Sequence, residues 1–233
     1  NLLESKSNIN ILCLDNYDGV LEFVKFHRKM KNKENKDNYY DKVEHNVEKN
    51  NVYDFIIAIN DAEGIYQEQE ITNWIFNIIS QMLRCLNNGG NFILKIYDTF
   101  TTQSIKIIYF LNLLFDKIYV YKPFLSLMSN SDKYLICLKY KKNNIVCEKI
   151  EKLNKEIDSK MYIEDSFPEI QINDKINNTI ILLNQELIFH QMKVLNQTLD
   201  FIKSNNLYGE EYHKYIKIQI SASKWWLNKY LNY

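Results

Sequence analysis

Short apolar runs alternate with stretches of helical spacing along the first 140 positions of the chain. Ile9–Leu14, Val52–Ile59, Asn91–Ile96, Lys117–Lys122 and Tyr134–Tyr140 read as strands. Val52–Ile59 is continuously apolar apart from Asp54, as expected of a parallel strand covered on both faces. Between the runs lie helical patterns. Val20 to Met30 carries Val20, Phe23, Val24 and Phe26 on one face, and Ile71–Leu86 turns Trp74, Ile75, Ile78, Ile79, Met82 and Leu83 inward. Residues 102–115 space Ile105, Ile108, Leu111 and Leu114 along a stripe, and Gly89-Gly90 marks a turn before the third strand. Residues 28–50 are charged and asparagine-rich, which predicts a solvated loop or a fraying helix end. A polar connector over 141–178 leads to two further helices, over Ile180–Asn205 and Tyr212–Tyr233, whose apolar and aromatic stripes, Trp225 and Trp226 included, are expected to be core. A strand, the turn cluster Asp15–Gly19 and a helix at the start is how a cofactor-binding α/β domain begins.

Composition narrows this picture modestly. The 233 residues are 46% hydrophobic, enough for one packed domain with a helical appendage. Lysine plus arginine equal aspartate plus glutamate at 29 each, so no global charge announces a nucleic-acid binder, and any basic surface must be local. Cys13, Cys85, Cys137 and Cys147 lack metal-ligand spacing, and Cys13 and Cys137 fall inside apolar strands as reduced core thiols. That suits a reducing compartment, nucleus or cytoplasm. No apolar run approaches the roughly 20 residues needed to cross a bilayer.

One residue resists the core pattern. Lys95 sits near the end of an otherwise apolar strand, where an ammonium either snorkels to the sheet edge or has chemical work to do. Around it run Gly-Gly-Asn-Phe-Ile-Leu-Lys-Ile-Tyr-Asp-Thr-Phe-Thr (89–101), Tyr-Lys-Pro (121–123) and Asn-Ser-Asp-Lys-Tyr-Leu-Ile-Cys (130–137). These segments resemble the second half of FtsJ-type RNA 2′-O-methyltransferases, particularly the eukaryotic and viral enzymes that methylate the first transcribed nucleotide of capped mRNA. The tail is similar too, with Asn184, Gln191, Met192 and Leu195 and then Trp225-Trp226-Leu227.

The resemblance implies a Rossmann-like α/β sandwich over residues 1–142, a mostly parallel sheet closing on a C-terminal antiparallel hairpin. A linker and helical C-terminal extension over 143–233 would pack on it. It implies S-adenosylmethionine as methyl donor, bound at Asp15, Asn16, Asp18 and Gly19. It also implies a lysine–carboxylate set in which Lys95 activates a ribose 2′-hydroxyl, with Asp132 and Asp61 as its acidic partners. The expected partners are a capped mRNA 5′ end and a second methyltransferase or capping subunit; neither a membrane nor DNA is implied. The departures are specific. Asp18 replaces the family's first loop glycine, Ile59 occupies the family's aspartate column two residues before Asp61, and Leu127 stands where an arginine is usual. They leave a second reading open: a degenerate methyltransferase domain serving as scaffold or RNA-positioning partner of an active subunit.

Overall fold

The computed structural model describes residues 8–14, 19–31, 36–41, 52–60, 68, 71–124, 126–143, 148, 150, 167, 170–204 and 208–231. The chain divides into two units, one formed by Asn1–Lys122 with Asp132–Ile181 and the other by Pro123–Ser131 with Leu182–Tyr233.

The first unit is built on a six-stranded sheet. In chain order its elements are β1 (Asn10–Leu14), α1 (Val20–Lys31), β2 (Asn38–Asp41), β3 (Tyr53–Ala58), α2 (Thr72–Cys85), β4 (Leu86–Ile96), α3 (Thr102–Leu114), β5 (Phe115–Tyr121) and β6 (Lys133–Tyr140). The spatial order is β2-β1-β3-β4-β6-β5. β2, β1, β3 and β4 run parallel, and β6 is inserted antiparallel between β4 and β5, so the expected closing hairpin is present.

Alternation along the strands sends side chains to two cores. On one face Leu12, Leu14, Ile56, Ala58, Phe92, Leu94, Leu135 and Cys137 pack beneath α2 and α3. On the other, Ile11, Cys13, Phe55 and Ile57 pack with Val20, Leu21 and Val24 of α1. The result is a three-layer α/β/α sandwich. Gly89 and Gly90 do not form the sharp turn expected of them. They lie within β4, where pairing jumps from Tyr53↔Leu86 to Phe55↔Asn91 across an irregularity. Gly89 has φ +78°, and a Cβ on Gly90 would stand 2.8 Å from the Asn87 carbonyl oxygen, so only glycine lets the chain fold back so closely there.

The structure corrects three further expectations. Residues 38–41, within the segment expected to be loop, form β2 alongside β1. α1 is rotated relative to its expected face: Phe23 and Phe26 are exposed, Val20, Leu21 and Val24 pack, and the buried residue is Arg28. Its partner Asp37 explains the rotation. Arg28 Nε and Nη2 donate to the two Asp37 carboxylate oxygens at 2.8 Å each, and both side chains are all but inaccessible to solvent.

The third correction concerns the second unit, which carries most of α4 (Asp174–Ser204) and all of α5 (Glu210–Tyr230). No residue of α5 is buried, and Trp225 is 46% exposed, so its aromatic stripe is surface rather than core.

Candidate functional site

In an open α/β sheet, ligands bind outside the carboxyl ends of the strands, at the point where the strand order reverses. Here the chain moves from β1 outward to β2 and then returns to β3 on the other side, which puts that point between β1 and β3. Gly19, directly before α1, has a φ of +99°, which favours glycine; a side chain there would meet open space. Asp15, Asn16 and Asp18 lie outside the described residues, as does Asp61. β2 ends at Asp41, which pairs in register with Cys13 of β1, about twenty residues beyond Gly19, the spacing at which a carboxylate reaches a nucleotide ribose.

Lys95 is the penultimate residue of β4, half-buried, and directly opposite Tyr134 of β6. It shares the α1 face of the sheet with Ile93 and Tyr134. Its ammonium lies 5.3 Å from the centroid of the Tyr97 ring, within reach of a cation–π attraction that orients it. The Tyr97 hydroxyl donates to the Asn60 carbonyl at 2.9 Å. One aromatic residue therefore holds the lysine and ties the end of β4 to the chain leaving β3, immediately before position 61.

Asp132 comes one residue before β6. Its carboxylate forms an ion pair with Lys122, whose Nζ also donates to the Asp132 main-chain carbonyl at 2.7 Å. Both partners are largely buried. The lysine of Tyr-Lys-Pro thus fixes the acidic residue at the mouth of the β5–β6 hairpin. The ion pair of Asp132 is with Lys122 and not with Lys95.

A second lysine was missed by sequence reasoning. Lys133 is 3% exposed and opposite Ile96, on the α2–α3 face. Burial pushes its ammonium down to about 8, against the pull of Asp98 and Glu68. Glu68 in turn accepts from Thr101 N at 2.8 Å, Thr101 Oγ1 at 2.7 Å and Phe100 N at 3.2 Å, and Thr101 Oγ1 caps α3 by accepting from Ser104 N. These groups shape the turn that follows Lys95. The signal was available, because Lys133 falls in the Leu135–Cys137 parity of its strand.

The unfolded chain keeps Lys133 protonated up to about 10.5, so between pH 8 and 10 the unfolded state binds more protons and stability rises with pH. The unfolding free energy of the wild type relative to Lys133→Met is expected to rise by on the order of 2 kcal/mol from pH 7 to pH 10. Urea titrations at the two pH values measure it, and a constant difference would mean that the ammonium is not buried in solution.

The model of the FtsJ-like methyltransferase family matches residues 11–140, from β1 to the end of β6. Cap-specific mRNA (nucleoside-2′-O-)-methyltransferase 2 of Drosophila melanogaster is 35% identical over 100 residues, covering 43% of this chain and 14% of that protein. Inactive cap-specific mRNA (nucleoside-2′-O-)-methyltransferase 1B of Caenorhabditis briggsae is 26% identical over 136 residues, 54% of this chain and 16% of that protein. The chain therefore spans about a seventh of the length of these relatives. A solved Plasmodium falciparum protein described as a ribosomal RNA methyltransferase superposes with a TM-score of 0.44 at 17% identity, over 59% of this chain and 90% of that one. With the matched segment running through all six strands and more than half of its length, the chain belongs to the FtsJ-like methyltransferase family.

Proposed function

We propose that this chain carries an S-adenosylmethionine-dependent ribose 2′-O-methyltransferase that acts on the capped 5′ end of mRNA. The observation that supports it best is the placement of Lys95, a half-buried cation at the carboxyl end of a central strand, oriented by an aromatic ring rather than left to wander. The donor supplies an electrophilic methyl group. Gly19 and Asp41 suit its binding: the glycine leaves room for close backbone approach, and the carboxylate is placed to accept from ribose hydroxyls. Lys95 would stabilise the alkoxide that develops as the 2′-oxygen attacks the donor methyl, the hydroxyl proton passing to water and S-adenosylhomocysteine leaving as the carbon–sulfur bond breaks, and Asp132, with Asp61, would supply the acidic surroundings of the site. Tyr97 and the Glu68-held turn fix where the ammonium points. The setting is a reducing compartment, nucleus or cytoplasm, in keeping with the buried thiols of Cys13, Cys85 and Cys137.

The scaffold reading keeps one specific support. Leu127, 67% exposed, stands where related sequences place an arginine able to bind phosphate, and it can make no charge-assisted bond. In that reading the chain positions RNA for a second methyltransferase or capping subunit. Calorimetry separates the two. Titration with S-adenosylmethionine is expected to give saturable heat that Asp41→Ala weakens about tenfold; absence of heat at millimolar donor would leave only the scaffold.

A further inference from the structure

Among the described residues, the second unit leaves several aromatic side chains exposed. Phe124 is 69% exposed and meets Trp225 of α5 edge-to-face with ring centroids 5.6 Å apart. Together with Lys217, Ile218, Ser221 and Ala222 they line an open groove of about 550 Å³, the size of a small-ligand site. Lys229 lies 4.6 Å from the Trp225 ring centroid.

The charge along α5 is one-sided. Glu210 and Glu211 occupy its first turn, and Lys214 pairs with Glu211 at 2.7 Å. From Tyr212 to Tyr233 there are lysines at 214, 217, 224 and 229 and no carboxylate. Lys229, four residues after Trp225, shares its face, Lys217 lines the groove itself, and Lys224, seven residues after Lys217, extends the flank that Lys217 begins. In a chain of zero net charge this is a local cationic strip interleaved with exposed rings. Exposed aromatics beside lysines are what an unpaired nucleic-acid strand needs: every base offers a π face to a ring, and every linkage offers a phosphate to an ammonium. A purely apolar protein partner would leave the lysines without a counter-charge.

We propose that the groove between Phe124 and α5 binds single-stranded RNA, with a base stacked on the exposed Trp225 ring beside Phe124 and the backbone phosphates running along Lys217, Lys224 and Lys229. The site takes RNA by stacking and charge rather than by sequence. It rests on RNA being the substrate of the whole protein, and it would hold the transcript while its terminal ribose is modified.

Anisotropy of a fluorescein-labelled 12-nucleotide uridine strand with the 233-residue chain tests it at two salt concentrations. Trp225→Leu, which keeps an apolar side chain but removes the ring, is expected to weaken binding about tenfold, the loss of one stacked base. Lys217→Gln with Lys229→Gln is expected to flatten the dependence of log affinity on log salt by about 0.7 per lysine. These side chains are exposed, so folding is spared, and circular dichroism confirms it. Unchanged affinity and slope in both variants would overturn the proposal. So would self-association that Trp225→Leu abolishes while RNA affinity stays put, because that would assign the face to a second protein surface. Donor binding is measured separately: RNA effects without S-adenosylmethionine binding would sink the enzymatic reading and leave this surface standing.

Discussion

Lys95→Met is expected to slow methyl transfer to a capped RNA by on the order of 10²–10⁴-fold while leaving donor affinity and thermal midpoint close to those of the wild type. Methionine matches the lysine stem in length and apolar character, so the packing of β4 against β6 should survive. What disappears is the charge that lies 5.3 Å from the Tyr97 ring centroid and would face the reacting oxygen. If the ammonium stabilises the developing alkoxide, its contribution exists only in the transition state, so kcat should fall and KM for RNA should stay level. Lys95→Arg sharpens the test. The planar guanidinium keeps the charge but displaces it by about an ångström, and a misplacement of that order is enough to cost about 10²-fold. A lysine that only snorkels at the sheet edge would tolerate both substitutions, and transfer rates within twofold of wild type would remove Lys95 from the chemistry.

Lys95 was legible because it interrupts an apolar run, and a charged side chain in a buried strand carries its own demand for explanation. The central strands were legible for the complementary reason. Continuous apolar runs such as Val52–Ile59 can be stable only where both faces are covered, which implies a parallel sheet between helices. β2 escaped notice since Asn-Tyr-Tyr-Asp has neither alternation nor a run. It is a strand by virtue of its neighbour, held in register with β1, and no local pattern encodes that pairing. The orientation of α1 failed for the same kind of reason. Phe23 and Phe26 outweigh Leu21 in hydrophobicity, but a buried Arg28–Asp37 pair fixes which way the helix turns, and a partner nine residues away leaves no periodic trace. On α5 the error ran the other way. Aromatic residues at helical spacing suggest a core, yet lysines on the same arc keep it at the surface, and the lysines were in plain view.

The largest stability effect is expected at that Arg28–Asp37 pair. Asp37 accepts two hydrogen bonds from Arg28, one from the Ile9 main-chain N–H at 2.9 Å and one from the Tyr39 hydroxyl at 3.2 Å. It thereby joins the end of α1, the start of β1 and the entry to β2 through one carboxylate that is 1% exposed. Burial alone would raise its pKa; the bonds from Arg28 and Ile9 outweigh that and hold it below the usual carboxylate range. Asp37→Ala removes the carboxylate that accepts from both Arg28 nitrogens, and a loss of about 3–5 kcal/mol is expected, a large part of the stability of an ordinary domain. Arg28→Met combined with Asp37→Leu, which removes both charges at once, should recover most of it. The pH dependence has a definite sign. A carboxyl whose folded pKa is depressed contributes fully above its unfolded value near 4 and loses that contribution as pH falls through the folded value. The gap in urea unfolding free energy between wild type and Asp37→Asn should therefore hold from pH 7 to about pH 5 and shrink below pH 4. A gap that stays constant down to pH 3 would show that the carboxylate is not held as described. Because β2 ends at Asp41, four residues further on, loosening this anchor should also weaken S-adenosylmethionine binding in Asp37→Asn at pH 7, where the protein is still folded. The Arg28–Asp37 clamp at the entry to β2 would then be what holds Asp41 in place for the proposed ribose contact.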